Sequence, residues 1–102
     1  MKTNSINNNQ SFLGKVYYRP KKMTAFDNIQ LEQNAEKLIE FAKNKAPDFT
    51  IFKNTHHSMS VKASLKNNSL TQDVYGYSVE NREKNIENIL ETMKNLVKNL
   101  KA

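Results

Sequence analysis

The clearest pattern in the chain is a strict alternation of apolar and polar residues over positions 58–66. The apolar residues are Met59, Val61, Ala63 and Leu65, and serine or lysine occupies every position between them. Successive side chains of a β-strand point to opposite faces of its sheet, so this segment predicts a strand with one dry side and one solvent-facing side. We therefore expect a sheet that is covered on one face only.

Three further segments have strand-like patterns. Residues 12–18 are followed by a proline, which favours an edge position because proline cannot donate a hydrogen bond to a neighbouring strand. Residues 49–53 and 73–79 place aromatic or β-branched residues at alternate positions. The pair Asn67-Asn68 predicts a tight turn, because asparagine tolerates the positive φ that such turns require.

Two segments have the three- and four-residue apolar spacing of amphipathic helices. The first is predicted to begin at Thr24, with Asp27 in capping-box spacing, and to be stopped by Pro47. The second is predicted to begin near Glu80–Arg82 and to carry apolar residues at 86, 89, 90, 93, 96, 97 and 100.

The predicted order of elements is strand, helix, three strands and helix. This order predicts an α+β fold, a two-layer sandwich in which both helices cover one face of a mainly antiparallel sheet. Residues 12–102 are long enough for one small domain. Residues 1–11 are polar and asparagine-rich, and we expect them to form a flexible N-terminal arm.

Positive charge is concentrated near the N-terminus. The net charge is +6, of which residues 1–22 contribute five basic side chains and no acid. The other 80 residues carry eleven basic and ten acidic side chains and are nearly neutral. Fourteen lysines against two arginines, with fifteen asparagines, are typical of an AT-rich bacterial or phage genome, which is an alternative explanation of the basic charge.

The composition disfavours catalysis and metal binding. The absence of cysteine excludes disulfides, thiolate zinc sites and cysteine nucleophiles. Adjacent side chains of an extended segment diverge, so His56 and His57 rarely reach one metal, and no third ligand has a recognisable spacing. With two glycines in the chain, no glycine-rich phosphate loop is possible. We therefore expect no enzyme activity, no metal and no cofactor.

The sequence predicts neither membrane insertion nor secretion through a signal peptide. No apolar run approaches about 18 residues, and the N-terminus lacks the apolar core of a signal peptide. The expected location is the cytoplasm by default. Export is the alternative, because the Asn/Ser/Thr-rich N-terminus resembles the unstructured leaders of some exported bacterial effectors.

From residue 24 onward, the predicted order helix–strand–strand–strand–helix resembles that of a double-stranded-RNA-binding domain. Residues Ala46-Pro47-Asp48-Phe49 and His56 resemble that family's entry to the first strand and its loop histidine. The resemblance implies a contact with duplex RNA across the groove. The family's lysine cluster at the start of the second helix is absent, because residues 78–84 contain two acids there. The resemblance is therefore architectural.

These observations favour a small non-enzymatic module that binds a protein or associates with itself, through edge strand 12–18 or the polar face of the sheet. The alternative is nucleic-acid binding through the basic segment 15–22 and the loop histidines, because aromatic residues beside cations suit base stacking and phosphate contacts. The candidate binding residues are Lys15, Tyr17, Arg19, Lys21, Lys22, Lys53, His56, His57 and Lys62.

Overall fold

The computed structural model describes residues 14–55 and 58–100. They form a small α+β fold with a four-stranded sheet and three helices. In chain order the elements are β1 (Val16–Tyr18), α1 (Ala25–Gln33), α2 (Ala35–Ala42), β2 (Asp48–Lys53), β3 (Met59–Ser64), β4 (Ser69–Asp73) and α3 (Asn85–Asn99). The expected polar arm at residues 1–11 lies outside the described residues.

The sheet is mixed, so the expectation of a mainly antiparallel sheet is wrong. Its strand order is β1-β2-β3-β4, with β1 parallel to β2 and the other neighbours antiparallel. The chain passes from β1 to β2 through α1 and α2, and a helical crossover of this length can return the chain in the same direction. The connections from β2 to β3 and from β3 to β4 are only a few residues long, and connections of this length join antiparallel strands.

The first helical segment contains two helices instead of the single one predicted. Its start is as expected: the Asp27 amide donates to Thr24 Oγ1 at 3.2 Å, and the Thr24 amide donates to the Asp27 carboxylate at 2.8 Å. Asn34 separates the two helices, and its side-chain amide donates to the Gln30 carbonyl at 2.9 Å. An asparagine amide that bonds the backbone competes with regular helical hydrogen bonding, which accounts for the break.

One continuous apolar core lies between the helices and one face of the sheet. The alternating residues of β3 predicted to be dry are fully buried, as are Phe49 and Ile51 of the adjacent β2. They pack in one cluster with Leu31 of α1 and with residues of the other two helices, Leu38, Ala42, Ile86, Ile89, Met93 and Leu96. The burial of this face follows from the period-two pattern in the sequence.

Residues 73–79 do not form the predicted strand. The β3–β4 hairpin closes earlier, because the Leu65 amide donates to the Asn68 carbonyl at 2.7 Å and Ser64 already pairs with Ser69. The strand β4 therefore ends at Asp73. Residues 74–84, called the 74–84 loop below, connect β4 to α3, so α3 also begins later than predicted.

None of the helices in the described part of the chain is both long and apolar enough to cross a membrane.

Candidate functional site: the polar sheet face and the β1 edge

The face of the sheet that points away from the core is called the polar face. Strand register defines it, because Thr50 and Phe52 alternate with buried residues of β2. The neighbours of Thr50 across the sheet are Tyr17 on one side and Lys62 on the other. The polar face comprises Lys15, Tyr17, Arg19, Asp48, Thr50, Phe52, Ser60, Lys62, Ser64, Ser69, Thr71 and Asp73.

Aromatic and cationic side chains share the β1 side of the polar face. The Arg19 guanidinium lies 5.2 Å from the centroid of the Phe52 ring, which is the geometry of a cation–π contact. Tyr17 lies on β1, two residues before Arg19, and is 41% exposed. Alternation along the strand puts Lys15, Tyr17 and Arg19 on the same side. A partner that lies on this side meets two positive charges and an accessible ring.

The two acids of the polar face are hydrogen-bonded within the sheet. Asp48 Oδ1 accepts a 2.9 Å hydrogen bond from the Lys15 amide, and Asp73 Oδ1 accepts a 2.7 Å bond from the Ser60 hydroxyl. Ser60 is fully buried, although its position in the alternating pattern predicted exposure. The bond to Asp73 satisfies its hydroxyl and makes that burial possible.

Among the strands of residues 14–55 and 58–100, β1 lies at an edge of the sheet, as its sequence predicted. Its backbone contacts β2 through odd-numbered residues: the Phe49 amide donates to the Lys15 carbonyl at 2.8 Å, and the Arg19 amide donates to the Ile51 carbonyl at 3.0 Å. Peptide groups alternate in direction along a strand. The amides and carbonyls of Val16 and Tyr18 therefore point away from β2, along the edge.

The side chain of Tyr18 lies on the core side of this edge. Its hydroxyl is buried, and no group among the described residues forms a hydrogen bond with it. Burial, helped by the negative charge of Glu32, raises the pKa of Tyr18 to about 12. The hydroxyl therefore stays neutral at physiological pH.

Four of the candidate binding residues come together on the polar face, namely Lys15, Tyr17, Arg19 and Lys62. Lys21 is exposed in the turn after β1. Lys22 has a φ of 68°, and its ammonium donates to the Asn54 carbonyl at 2.8 Å. That contact holds the turn against the end of β2. The predicted histidine loop, His56 and His57, lies outside the described residues.

The side chain of Lys53, a predicted binding residue, is buried in a structural contact and is not exposed on the surface. Its ammonium lies 2.7 Å from Asp27 Oδ2, and the two side chains are 6% and 2% exposed. The alternation of β2 turns this side chain towards the helices, where Asp27 of α1 receives it. The ammonium is therefore held inside the fold and is unsuited to a surface contact.

Asp27 is the centre of a buried polar network. Its Oδ1 accepts a 2.6 Å bond from the Tyr77 hydroxyl, and its Oδ2 accepts bonds from Lys53 and Thr24. Burial by itself would raise the pKa of Asp27, but the Lys53 ammonium, the Thr24 amide and the two hydroxyls stabilise the carboxylate and hold its pKa below the ordinary value of 3.8. Burial, together with the bond to Asp27, raises the pKa of Tyr77.

Sequence reasoning missed Phe52 as a surface residue and misplaced two others. Phe49 and Ile51 occupy odd-numbered positions of β2 and face the core, whereas Phe52 occupies an even-numbered position. The alternation of the strand therefore places its ring on the polar face. Tyr75 and Val79 were predicted to lie in a strand, but they are 93% and 64% exposed on the 74–84 loop. Their alternation gave no signal of a loop.

The described residues contain no cluster of three or more His, Cys, Asp or Glu side chains that could hold a metal ion. A shallow depression of about 260 Å³ is lined by the consecutive residues Glu80, Asn81, Arg82, Glu83 and Lys84. It is formed by one turn of the chain, so it brings together no residues that are distant in sequence.

Comparisons of this chain with protein-family models, with curated proteins and with solved structures found no match.

Proposed function

We propose that this protein is a small non-enzymatic binding module for a protein partner, with the polar face and the adjacent edge of β1 as its contact surface. The observation that carries the proposal is the arrangement of Tyr17 and Arg19 along an edge strand whose outer peptide groups have no neighbouring strand in the described residues. Tyrosine and arginine are enriched among the residues that dominate protein–protein binding energies.

The helices support this choice of surface. Most of their apolar residues pack in the core against the opposite face of the sheet, with Ile29 of α1 an exposed exception. The polar face carries an exposed aromatic ring, the Arg19–Phe52 pair and Lys62. A rigid sheet presents such groups at fixed spacing, which lowers the entropy lost on binding.

The proposal is tested by selecting peptides from a random displayed library with the full chain as bait. Selected peptides are then titrated against the Tyr17→Ala and Lys62→Gln variants, with Lys37→Gln on the exposed side of α2 as the matched control. We expect the two polar-face variants to lose at least about fivefold in affinity, roughly 1 kcal/mol. Selected peptides that bind all variants equally would contradict the assigned surface. Failure to recover any binding peptide would contradict the protein-binding function.

Nucleic-acid binding is the second candidate function, and the Arg19–Phe52 contact favours it. Aromatic rings flanked by cations suit single-stranded nucleic acid, in which bases are free to stack. The distinguishing measurement is salt dependence. Contacts of Lys15, Arg19, Lys21 and Lys62 with four phosphates of a single strand would give a log–log slope of about −2.8. A slope of that size with oligo(dT), reduced to about −2.1 in Arg19→Gln, would support this function over protein binding.

A further inference from the structure

We infer that the partner adds as a fifth strand along β1, and that it is an extended acidic segment with carboxylates at every second position. This inference rests on the proposed function and specifies the chemistry of the partner at the same surface.

The backbone of β1 supplies the first part of the argument. The outward peptide groups of Val16 and Tyr18 offer two donors and two acceptors, with the spacing of a sheet edge. An extended segment that pairs with them forms main-chain hydrogen bonds that need no particular sequence. The polar face and the core side of β1 then continue onto the added strand.

Side-chain alternation supplies the second part. Partner residues opposite Tyr17 and its alternate neighbours lie on the polar face, beside Lys15 and Arg19. Partner residues opposite Val16 and Tyr18 lie on the core side, where both of these side chains are half-buried against the core cluster. An added strand therefore fits best when polar-face positions are acidic and the intervening positions are apolar.

Charge supplies the third part and selects the acidic segment over a second copy of this chain. Residues 15–22 contain Lys15, Arg19, Lys21 and Lys22 and no acid. Asp48 of the adjacent β2 accepts a hydrogen bond from the Lys15 amide. Pairing β1 with β1 of a second copy would place these like charges opposite one another, which is destabilising. Carboxylates at the same positions are attracted.

The test uses the full chain and four fluorescent probes measured by anisotropy. The first is a nine-residue capped peptide that alternates glutamate with valine or threonine. The second has lysine in place of glutamate, and the third is the acidic peptide N-methylated on the residues that pair with β1. The fourth is oligo(dT) of similar length. The protein variants are Lys15→Gln with Arg19→Gln, and Lys37→Gln with Lys94→Gln as a control of equal charge on exposed helix positions.

We expect the acidic peptide to bind and the lysine and N-methylated peptides to bind at least about tenfold more weakly. The Lys15/Arg19 variant should lose at least about tenfold in affinity for the acidic peptide, and the Lys37/Lys94 control should change by less than about twofold. Thermal melts of both variants establish that each remains folded.

The contrary results fall into distinguishable classes. Binding of the N-methylated peptide as tightly as the acidic peptide would overturn strand addition. Binding of the lysine peptide as tightly as the acidic peptide would overturn the acidic preference. Either result would still be compatible with a protein-binding module. Absence of binding by every peptide probe would overturn the inference, and the library selection would then decide the proposed function separately. Tighter binding of oligo(dT), lost in the Lys15/Arg19 variant, would overturn both.

Discussion

The Tyr77 hydroxyl donates a 2.6 Å hydrogen bond to Oδ1 of Asp27, across 50 positions of sequence. The other carboxylate oxygen of Asp27 binds the Lys53 ammonium at 2.7 Å. One buried side chain therefore joins the start of α1, the end of β2 and the 74–84 loop. The loop also buries Val74 in the core, while Tyr75 and Val79 are exposed, so this polar contact is one of several restraints on its position.

Replacement of Tyr77 by phenylalanine removes the hydroxyl and keeps the ring, which packs edge-on against Phe26. Hydrogen bonds to charged groups contribute about 1.5–3 kcal/mol, and we expect Tyr77→Phe to lower the free energy of unfolding by that amount. The matched control is Tyr75→Phe, because Tyr75 is exposed and its change should stay within about 0.5 kcal/mol. Urea melts of both variants decide the matter, and equal losses would mean that the Tyr77 bond is not formed in solution.

The ionisation of Asp27 makes stability depend on acidity. Its pKa is lower in the folded chain than its ordinary value of 3.8, so the carboxylate contributes its full stability above that value and loses it as the pH falls towards the folded pKa. Asp27→Asn leaves the Lys53 ammonium buried without a counter-charge, which should cost about 3–5 kcal/mol at pH 7. We expect the difference between the wild type and Asp27→Asn to narrow below about pH 4. A constant difference from pH 7 to pH 2 in urea melts would contradict the ion pair.

The parts of the fold that were predictable are those fixed by local chemistry. Thr24 and Asp27 form the expected capping box, and the apolar residues of β3 are buried because a period of two leaves one choice of face. The direction of β1 relative to β2 was not predictable from the β1 sequence, because it depends on how the helical connection packs.

The 74–84 loop shows where local pattern misleads. Tyr75, Tyr77 and Val79 alternate as in a strand, whereas the true strand β4 is composed largely of polar residues. Edge strands need few apolar residues, so β4 had a weak signal. The loop is held by contacts with residues distant in sequence, such as the bond from Tyr77 to Asp27. Within the candidate site, the period-two pattern of the strands correctly indicated the face on which Tyr17 and Lys62 lie. The burial of Lys53 was not predictable from its strand, because its partner Asp27 belongs to α1.

Removal of the Tyr18 hydroxyl should stabilise the protein. The oxygen is buried and has no hydrogen-bond partner among the described residues, and an unsatisfied buried polar group costs about 1–3 kcal/mol. We expect Tyr18→Phe to raise the free energy of unfolding by about 1 kcal/mol. Because the pKa of Tyr18 is about 12, the hydroxyl is neutral at pH 6 and at pH 9, and the gain should be the same at both. Tyr17→Phe is the exposed control, and a loss of stability in Tyr18→Phe would mean that the hydroxyl is bonded.

Gly14 holds the start of β1 against the end of α2. Its amide donates to the Lys45 carbonyl at 2.8 Å, and a Cβ added at this position would lie 1.8 Å from the Ala42 carbonyl oxygen. Both neighbouring atoms belong to the backbone, so the strand itself must move to accept a side chain. Gly14→Ala should therefore destabilise the protein by about 1–3 kcal/mol and weaken the pairing of β1 with β2.

Gly76→Ala provides the contrast for this last prediction. Gly76 has a φ of 82°, so alanine there costs about 1 kcal/mol of backbone strain, but its nearest obstacle is the side-chain amide of Asn88. Hydrogen exchange of the Arg19 and Phe49 amides, which bond across β1 and β2, separates the two variants. Exchange should accelerate in Gly14→Ala beyond what the global loss of stability explains, and it should not do so in Gly76→Ala. Equal acceleration in both would mean that β1 is not held by the approach of Gly14 to α2.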